Sequence, residues 1–430
     1  MSINDSLYIG ISGLQANGNA ISVVGNNIAN TSTIGYKRER AEFSDVLGST
    51  IGSQQLGGGT RLTDTQTLFD QGSIQQTGNT TDLAIQGNGF FVVKGAHDGQ
   101  TGNFYTRDGQ FTLDKTGFAV DKNGLRLQGY PLDATGVRGT TLGDLQLGTR
   151  QSPPVATTKA TMDIHLNPTQ DATPKTFSPA NPGDPASSSF ATAETVYDSL
   201  GNAHQAQVYM VSNGSGSYDY HAMVDGGEIA GGTKGTPFEI AGGTLTFNTS
   251  GALAAQTSNG TTADFVGATA GQAVKFSFGD DIASGGTGLA GSTYSAESPD
   301  GNLSSSADGH AAGTLTDISI ASDGKITGQF DNGQKIDIAQ LALATFQNMN
   351  GLKKDGDNLM SASNTSGDAS IDAAGANGRG SVMQGALESS NVDLSTELVT
   401  LISYQRAFEA NSKTITTADQ MMQQVSNLKQ

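Results

Sequence analysis

Between Asn4 and Asn30 the apolar positions Leu7, Leu14, Ile21 and Ile28 recur every seven residues, with Ile11 beside them. That spacing predicts one helix with a narrow apolar stripe, the pattern of a coiled-coil seam. The companion positions are Ile11, Gly18 and Gly25. Two glycines one heptad apart weaken an isolated helix and allow a neighbouring backbone to come close. The other end of the chain repeats the device: Leu394, Leu401, Phe408, Ile415 and Met422 fall every seven residues, with Tyr404, Asn411, Ala418 and Val425 as a mixed second seam. Gly385 is the last glycine and no proline follows it, so a helix capped at Asn391 or Asp393 can run to the terminus. About 36 residues at ~1.5 Å each make a rod of roughly 54 Å, too long for a small globular domain to cover.

Between these ends alternation replaces the helical period. Phe118 and Val120 precede Asn123-Gly124, and Leu125 and Leu127 follow it, a strong local hairpin signal. Ile318 and Ile320 before Asp323-Gly324, and Asn332-Gly333 before Ile336 and Ile338, repeat the idea. Short strands are expected at 83–85, 90–93, 196–197, 208–211, 245–247 and 274–278. The predicted fold class is therefore mixed and multi-domain, with terminal α-helical, coiled-coil-like segments and discontinuous all-β domains between them. Seven of the ten prolines lie between Pro153 and Pro185, and the stretch from Ser284 to Gly313 is dominated by Gly, Ser, Ala and Thr. Such loose stretches mark borders. The expected organisation is a helical domain from 1–30 and 386–430, a linker at 31–70, a discontinuous β domain from 71–149 and 309–385, and an inserted outer β domain at 150–308.

Composition narrows the function. Glycine supplies 58 of 430 residues, about twice the usual ~7%, which fits many turns. Lys and Arg number 23 against 41 Asp and Glu, a net charge of −18. That field repels phosphate backbones and anionic lipid surfaces, so neither nucleic acid nor membrane is expected as a partner. Cysteine is absent, which excludes disulfides, thiolate metal sites and cysteine nucleophiles. His97, His165, His204, His221 and His310 are scattered, and Asp280-Asp281 and Asp355 with Asp357 match no calcium-loop pattern. Gly57-Gly58-Gly59 and Gly87-Asn88-Gly89 lack phosphate-loop spacing and read as turns. No catalytic residue, cofactor or metal is expected, and no enzyme. No apolar run approaches the ~18 residues of a membrane helix, and the first basic residue is Lys37, so the basic start of a secretory signal is missing. Those signals place the chain in the cytoplasm, whereas an acidic, Gly-rich composition without Cys or Trp belongs with extracellular surface proteins.

Two apolar stripes on an acidic chain must be buried, by each other or by further copies. Glycines and polar residues in both seams make the pair alone a weak coil, which favours burial in an assembly. The residues beside the seams carry a resemblance. Asn26, Asn27, Ala29 and Asn30 in Gly25-Asn26-Asn27-Ile28-Ala29-Asn30, followed by Thr33, Gly35, Tyr36 and Lys37, resemble the N-terminal signature of the axial proteins of the bacterial flagellum, a family of rod, hook and hook-associated subunits. Gly385-Ala386-Leu387-Glu388, Ser390-Asn391-Val392-Asp393-Leu394, Glu397-Leu398 and Tyr404-Gln405-Arg406 resemble the matching C-terminal end. Within that family, residues 195–204 and 343–346, with Gly351-Leu352 and Gly356-Asp357-Asn358, are similar to the hook proteins, least so from about 212 to 310.

The resemblance implies a structural subunit of a curved tubular polymer, a universal joint between rotary motor and filament, with terminal helices lining the inner tube and β domains outside. It implies copies of the chain itself, the distal rod protein, the hook cap, the hook-associated junction protein and the flagellar type III export apparatus as partners. It also implies an extracellular location reached without a cleaved signal peptide, which removes the conflict over localisation. The seam residues Leu7, Ile11, Leu14, Ile21, Ile28, Leu394, Leu401, Phe408, Ile415 and Met422 are then the expected assembly surface. The distal rod protein of the same family is the near alternative, but it resembles a much shorter chain without the inserted domain. A secreted glycan-acting enzyme or adhesin would share the composition but leave heptads at both ends unexplained.

Overall fold

The computed structural model describes residues 3–51, 54–133, 136–148, 150–167, 173–294 and 299–427. Helix α1 spans Ile3–Ala29 and helix α2 spans Leu394–Asn427. Asp393 caps α2, its carboxylate taking the Thr396 N–H at 2.8 Å while Glu397 lies in the first turn, where a negative charge suits the exposed N–H groups. The helices run antiparallel. A Cβ on Gly10 would lie 2.9 Å from Ile415, one on Gly13 2.8 Å from the Asn411 amide and one on Gly18 3.7 Å from Phe408. Rising numbers in α1 thus meet falling numbers in α2.

The most buried line of α1 is Gly10, Gly13, Ala16, Ala20, Val24 and Asn27, all small or polar except Val24. Leu7, Leu14, Ile21 and Ile28 flank that line half-buried, and Ile11 is exposed. Gly25, expected at a close approach, has nothing within 4 Å. In α2, Leu401, Phe408 and Ile415 are half-buried while Leu394 and Met422 are exposed. A straight helix drifts ~20° per heptad against a strict seven-residue repeat. Over four heptads such a repeat turns away from one contact line.

Residues 31–70 differ from the expected linker. Glu39–Ile51 (β1) and Gln54–Thr67 (β2) form a long antiparallel hairpin, with Glu39 opposite Thr67 and Ala41 opposite Thr65. Gly57-Gly58-Gly59 is part of β2 and not a turn. Gly59, at φ +102°, lies so close to α1 that a Cβ there would sit 2.0 Å from Ser12 Oγ. The glycines serve close approach to a helix. Phe43 of β1 meets Tyr404 of α2 with ring centroids 6.0 Å apart.

The chain divides into two compact units, 1–150 with 315–329 and 335–430, and 151–314 with 330–334. In the first, strands Phe90–His97, Gln100–Thr106, Arg126–Pro131 and Lys335–Thr345 form the middle of a large sheet. Phe91 and Val93 enter one core with Leu83, Phe111, Leu127 and Leu341, and Phe90 and Val92 enter another with Tyr105. Both faces are covered, so this segment reads as a continuous apolar run. Ala386–Glu388 pairs with Ile74–Gln76, so these three residues belong to sheet rather than helix. In the second unit a five-stranded antiparallel sheet from 190–256 shares a core with the strand Lys159–Leu166, through Met162, Ile164, Tyr218, Tyr220 and Phe278. The hairpin tip at Asn332-Gly333 belongs here too, because Asp331 takes the Thr314 N–H at 2.8 Å and Asn332 donates to the Ala311 carbonyl at 2.8 Å.

Candidate functional site

Within the first unit the signature residues converge where α1, β1, β2 and α2 meet the sheet. Asn27 is fully buried, and its amide does what a neighbouring strand would do for Glu39: Oδ1 accepts the Glu39 N–H at 2.9 Å and Nδ2 donates to the Glu39 carbonyl at 2.7 Å. The same amide donates to Glu397 of α2 at 3.2 Å, and Oδ1 accepts the Tyr36 hydroxyl at 3.2 Å. Asn391 acts alike on the other side of the hairpin, accepting the Arg38 N–H at 2.7 Å and donating to the Leu68 and Asp70 carbonyls at 2.8 and 3.0 Å. Two asparagines thus stitch the root of the hairpin to both helices.

Beneath them lies a buried ion cluster. Glu388, with no exposed side-chain surface, meets Lys37 at 2.6 Å through Oε1 and Arg107 at 3.1 Å through Oε2, and also accepts the Gly72 N–H at 2.9 Å. Lys37 donates further to the Asp70 carbonyl at 2.8 Å and Arg107 to the Gly87 carbonyl at 2.8 Å. Burial pushes the Lys37 ammonium and the Arg107 guanidinium down from their ordinary ranges, and Glu388 opposes that in both. Burial, with the nearby Glu397 carboxylate, pushes the Tyr36 phenol up. Two cations share one carboxylate, and carbonyl dipoles supply the remaining compensation.

The rest of the motif shapes the turn leading in. Gly35 sits at φ +69° and donates to the Glu388 carbonyl at 2.7 Å. A Cβ there would fall 2.6 Å from the backbone between Arg107 and Asp108, so only glycine fits. Asn30 donates to the Asn26 carbonyl at 2.9 Å, Thr33 reaches Asn30 at 3.0 Å, and Asn26 reaches the Tyr36 hydroxyl at 3.3 Å. Ala29 faces solvent. The hairpin ending at Asp357-Asn358 docks on this turn through Asn358, which donates to the Ile34 carbonyl at 2.8 Å, and Lys354 pairs with Glu39.

The cluster ties α1, α2 and the β1–β2 hairpin to the first unit's sheet through groups 281 to 370 residues apart in sequence. Its chemistry is cohesion. Among the described residues no group of three or more His, Asp or Glu side chains is placed to hold a metal. Glu388, Asn391 and Glu397 lie in the C-terminal signature, but their pairing with Lys37, Arg38 and Asn27 is not visible in spacing. Arg107 carries no sequence signal at all, because its partner lies 281 positions away.

Comparison with known proteins fits this arrangement. Residues 7–37 match the family described as Flagella basal body rod protein, residues 84–167 the Flagellar hook protein FlgE/F/G D1 domain, and residues 383–428 the Flagellar basal body rod FlgEFG protein C-terminal region. The chain is 34% identical over 429 residues to the flagellar hook protein FlgE of Salmonella typhimurium, covering 97% of this chain and 98% of that protein. It is 34% identical over 467 residues to FlgE of Treponema pallidum, covering 99% of each. A crystal structure of the Helicobacter pylori flagellar hook protein FlgE2 is similar at a TM-score of 0.47 and 16% identity, covering 73% of this chain and 100% of that one. By its full-length identity to these relatives, the chain belongs to the flagellar hook protein family.

Proposed function

We propose that this chain is the structural subunit of a bacterial flagellar hook, polymerising into a curved, flexible tube that passes motor torque to the filament. Its first partner is a further copy of itself. At the ends of the tube it meets the distal rod protein and the hook-associated junction protein, and during growth the hook cap and the type III export apparatus, through which it leaves the cell without losing a signal peptide. The seam residues named above belong to the surfaces that assembly buries.

The observation that carries this reading is the face of α2 turned away from α1. Leu394, Leu398 and Ile402, spaced i, i+4, i+8, form one ridge, and all three are exposed, as is Val399 beside them. An acidic chain gains by covering such a ridge, at roughly 1.5 to 3 kcal/mol for each large apolar side chain fully buried. A neighbouring α2 in a tube wall supplies the cover. Leu398→Asp with Ile402→Asp places charges on that ridge without touching the buried line of α1. The variant is expected to melt as the wild type does and to yield no sedimentable polymer; normal polymer from it would overturn the reading.

A further inference from the structure

The hairpin of strands Lys353–Gly356 and Leu359–Ser361 carries two adjacent lysines, which alternation turns to opposite faces. Lys353 pairs with Asp355 at 2.7 Å. Lys354 lines a cleft of about 240 Å³ beside the turn that follows α1, and there it pairs with Glu39. Tyr36, Lys37, Arg107 and Asp357 line the same cleft. The hairpin tip is held: Gly356, Asp357 and Asn358 all take positive φ, and Asn358 donates to the Ile34 carbonyl at 2.8 Å. Lys354 thus reaches the cleft from a fixed strand.

The amine is both reachable and reactive. The Lys354 side chain is 44% exposed, so a small molecule can meet it, while burial of the remainder pushes the ammonium down to about 8. At about pH 7.4 such an amine is unprotonated in roughly a fifth of the molecules, against about a thousandth for an ordinary lysine near 10.4. Only the unprotonated form is a nucleophile. Charge in the cleft selects the reagent. Lys37 and Arg107 share the one Glu388 carboxylate, which leaves a positive charge in surplus, and Lys354 and Glu39 balance each other. Asp357, the remaining carboxylate of the cleft, is 56% exposed and screened by water. On a chain of net charge −18 this is a place where a small anion is drawn in. The volume lies below the ~300 Å³ at which sites for drug-sized ligands begin, so the anion must be small.

We propose that Lys354 is a modification site, its amine taking the acyl group of a small anionic donor of the acyl phosphate class that enters this cleft. The unprotonated Nζ attacks the acyl carbon, forming the C–N bond, and the carbon–oxygen bond to phosphate breaks. The proton shed by nitrogen passes to the Glu39 carboxylate and on to the departing phosphate, so lysine and acyl phosphate become amide and hydrogen phosphate. Acylation removes the charge that pairs with Glu39 and leaves the hairpin 353–361 with one tie fewer to the turn after α1. The proposal goes beyond the polymer reading and does not rest on it.

The test uses the full folded chain with acetyl phosphate, and peptide mass spectrometry follows each lysine separately. Lower basicity takes back part of the gain in unprotonated amine, so Lys354 is expected to react about tenfold faster than Lys353. Its rate should level off above about pH 8. Added salt should slow the reaction with acetyl phosphate and leave that with a neutral acetyl ester unchanged, because only the anion is drawn by charge. In urea the preference for Lys354 should vanish, and in the acetylated folded chain residues 353–361 should exchange amide hydrogens faster. Equal rates at Lys353 and Lys354 in the folded chain, or a preference that survives in urea, would overturn the site. A preference for Lys354 shown by the neutral ester alone would overturn the anionic donor.

Discussion

Glu388 is the residue on which most of the junction depends. Replacing it with Gln leaves Lys37 and Arg107 buried without a counter-charge, and breaking a buried ion cluster in this way costs about 3 to 5 kcal/mol. Chemical denaturation of Glu388→Gln should register that loss in the first unit, and a loss below about 1 kcal/mol would mean the cluster is not the lock described above. Gly35 is the second test at this scale. Its positive φ and the 2.6 Å approach to the backbone at Arg107 predict that Gly35→Ala costs about 1 to 3 kcal/mol. Denaturation of that variant at wild-type strength would show that the turn can move.

At the scale of elements, α1 and α2 cover each other along one line only, and isolated helices are marginal in water. The ridge Leu394–Leu398–Ile402 and the end of α2 from Met421 to Val425 stay exposed, so residues 394–425 should exchange amide hydrogens fast in the free subunit and slowly in polymer. Strong protection before assembly would contradict this. Asp308 makes a pH-dependent element of the strand Lys159–Leu166. Burial pushes its carboxyl up, but the N–H of Lys159 at 2.9 Å and the N–H and hydroxyl of Thr158 outweigh burial and hold it below the usual carboxylate range. A folded value below the unfolded one means that its stabilisation is complete above about pH 4 and is lost as pH falls through the folded value. Hydrogen exchange along 158–166 should therefore rise in acid in the wild type and depend less on pH in Asp308→Asn.

What the sequence makes legible follows from the range of each interaction. Asn123-Gly124, Asp323-Gly324 and Asn332-Gly333 mark their turns because a positive φ is a local demand, and Gly124, Gly324 and Gly333 all adopt it. Heptads announce two helices because each stripe repeats within one element. The β1–β2 hairpin is hidden, since its polar strands gain their order by lying on α1 at Gly59 rather than from an apolar face of their own. The true contact line of α1 is hidden too, because glycine and alanine carry no hydropathy signal while they permit the closest approach. Asn26, Asn27, Gly35 and Lys37 can be singled out as a motif, but the role of Lys37 needs Glu388, 351 positions away.

For the whole molecule the account is a division of labour. In the proposed polymer α2 carries an apolar ridge for assembly, and the buried cluster holds both terminal helices to the first unit's sheet so that force on one reaches the other. The direct measurement is electron microscopy of the purified chain after polymerisation. Curved tubes of uniform diameter are predicted; straight filaments, closed oligomers or monomer alone would contradict the account.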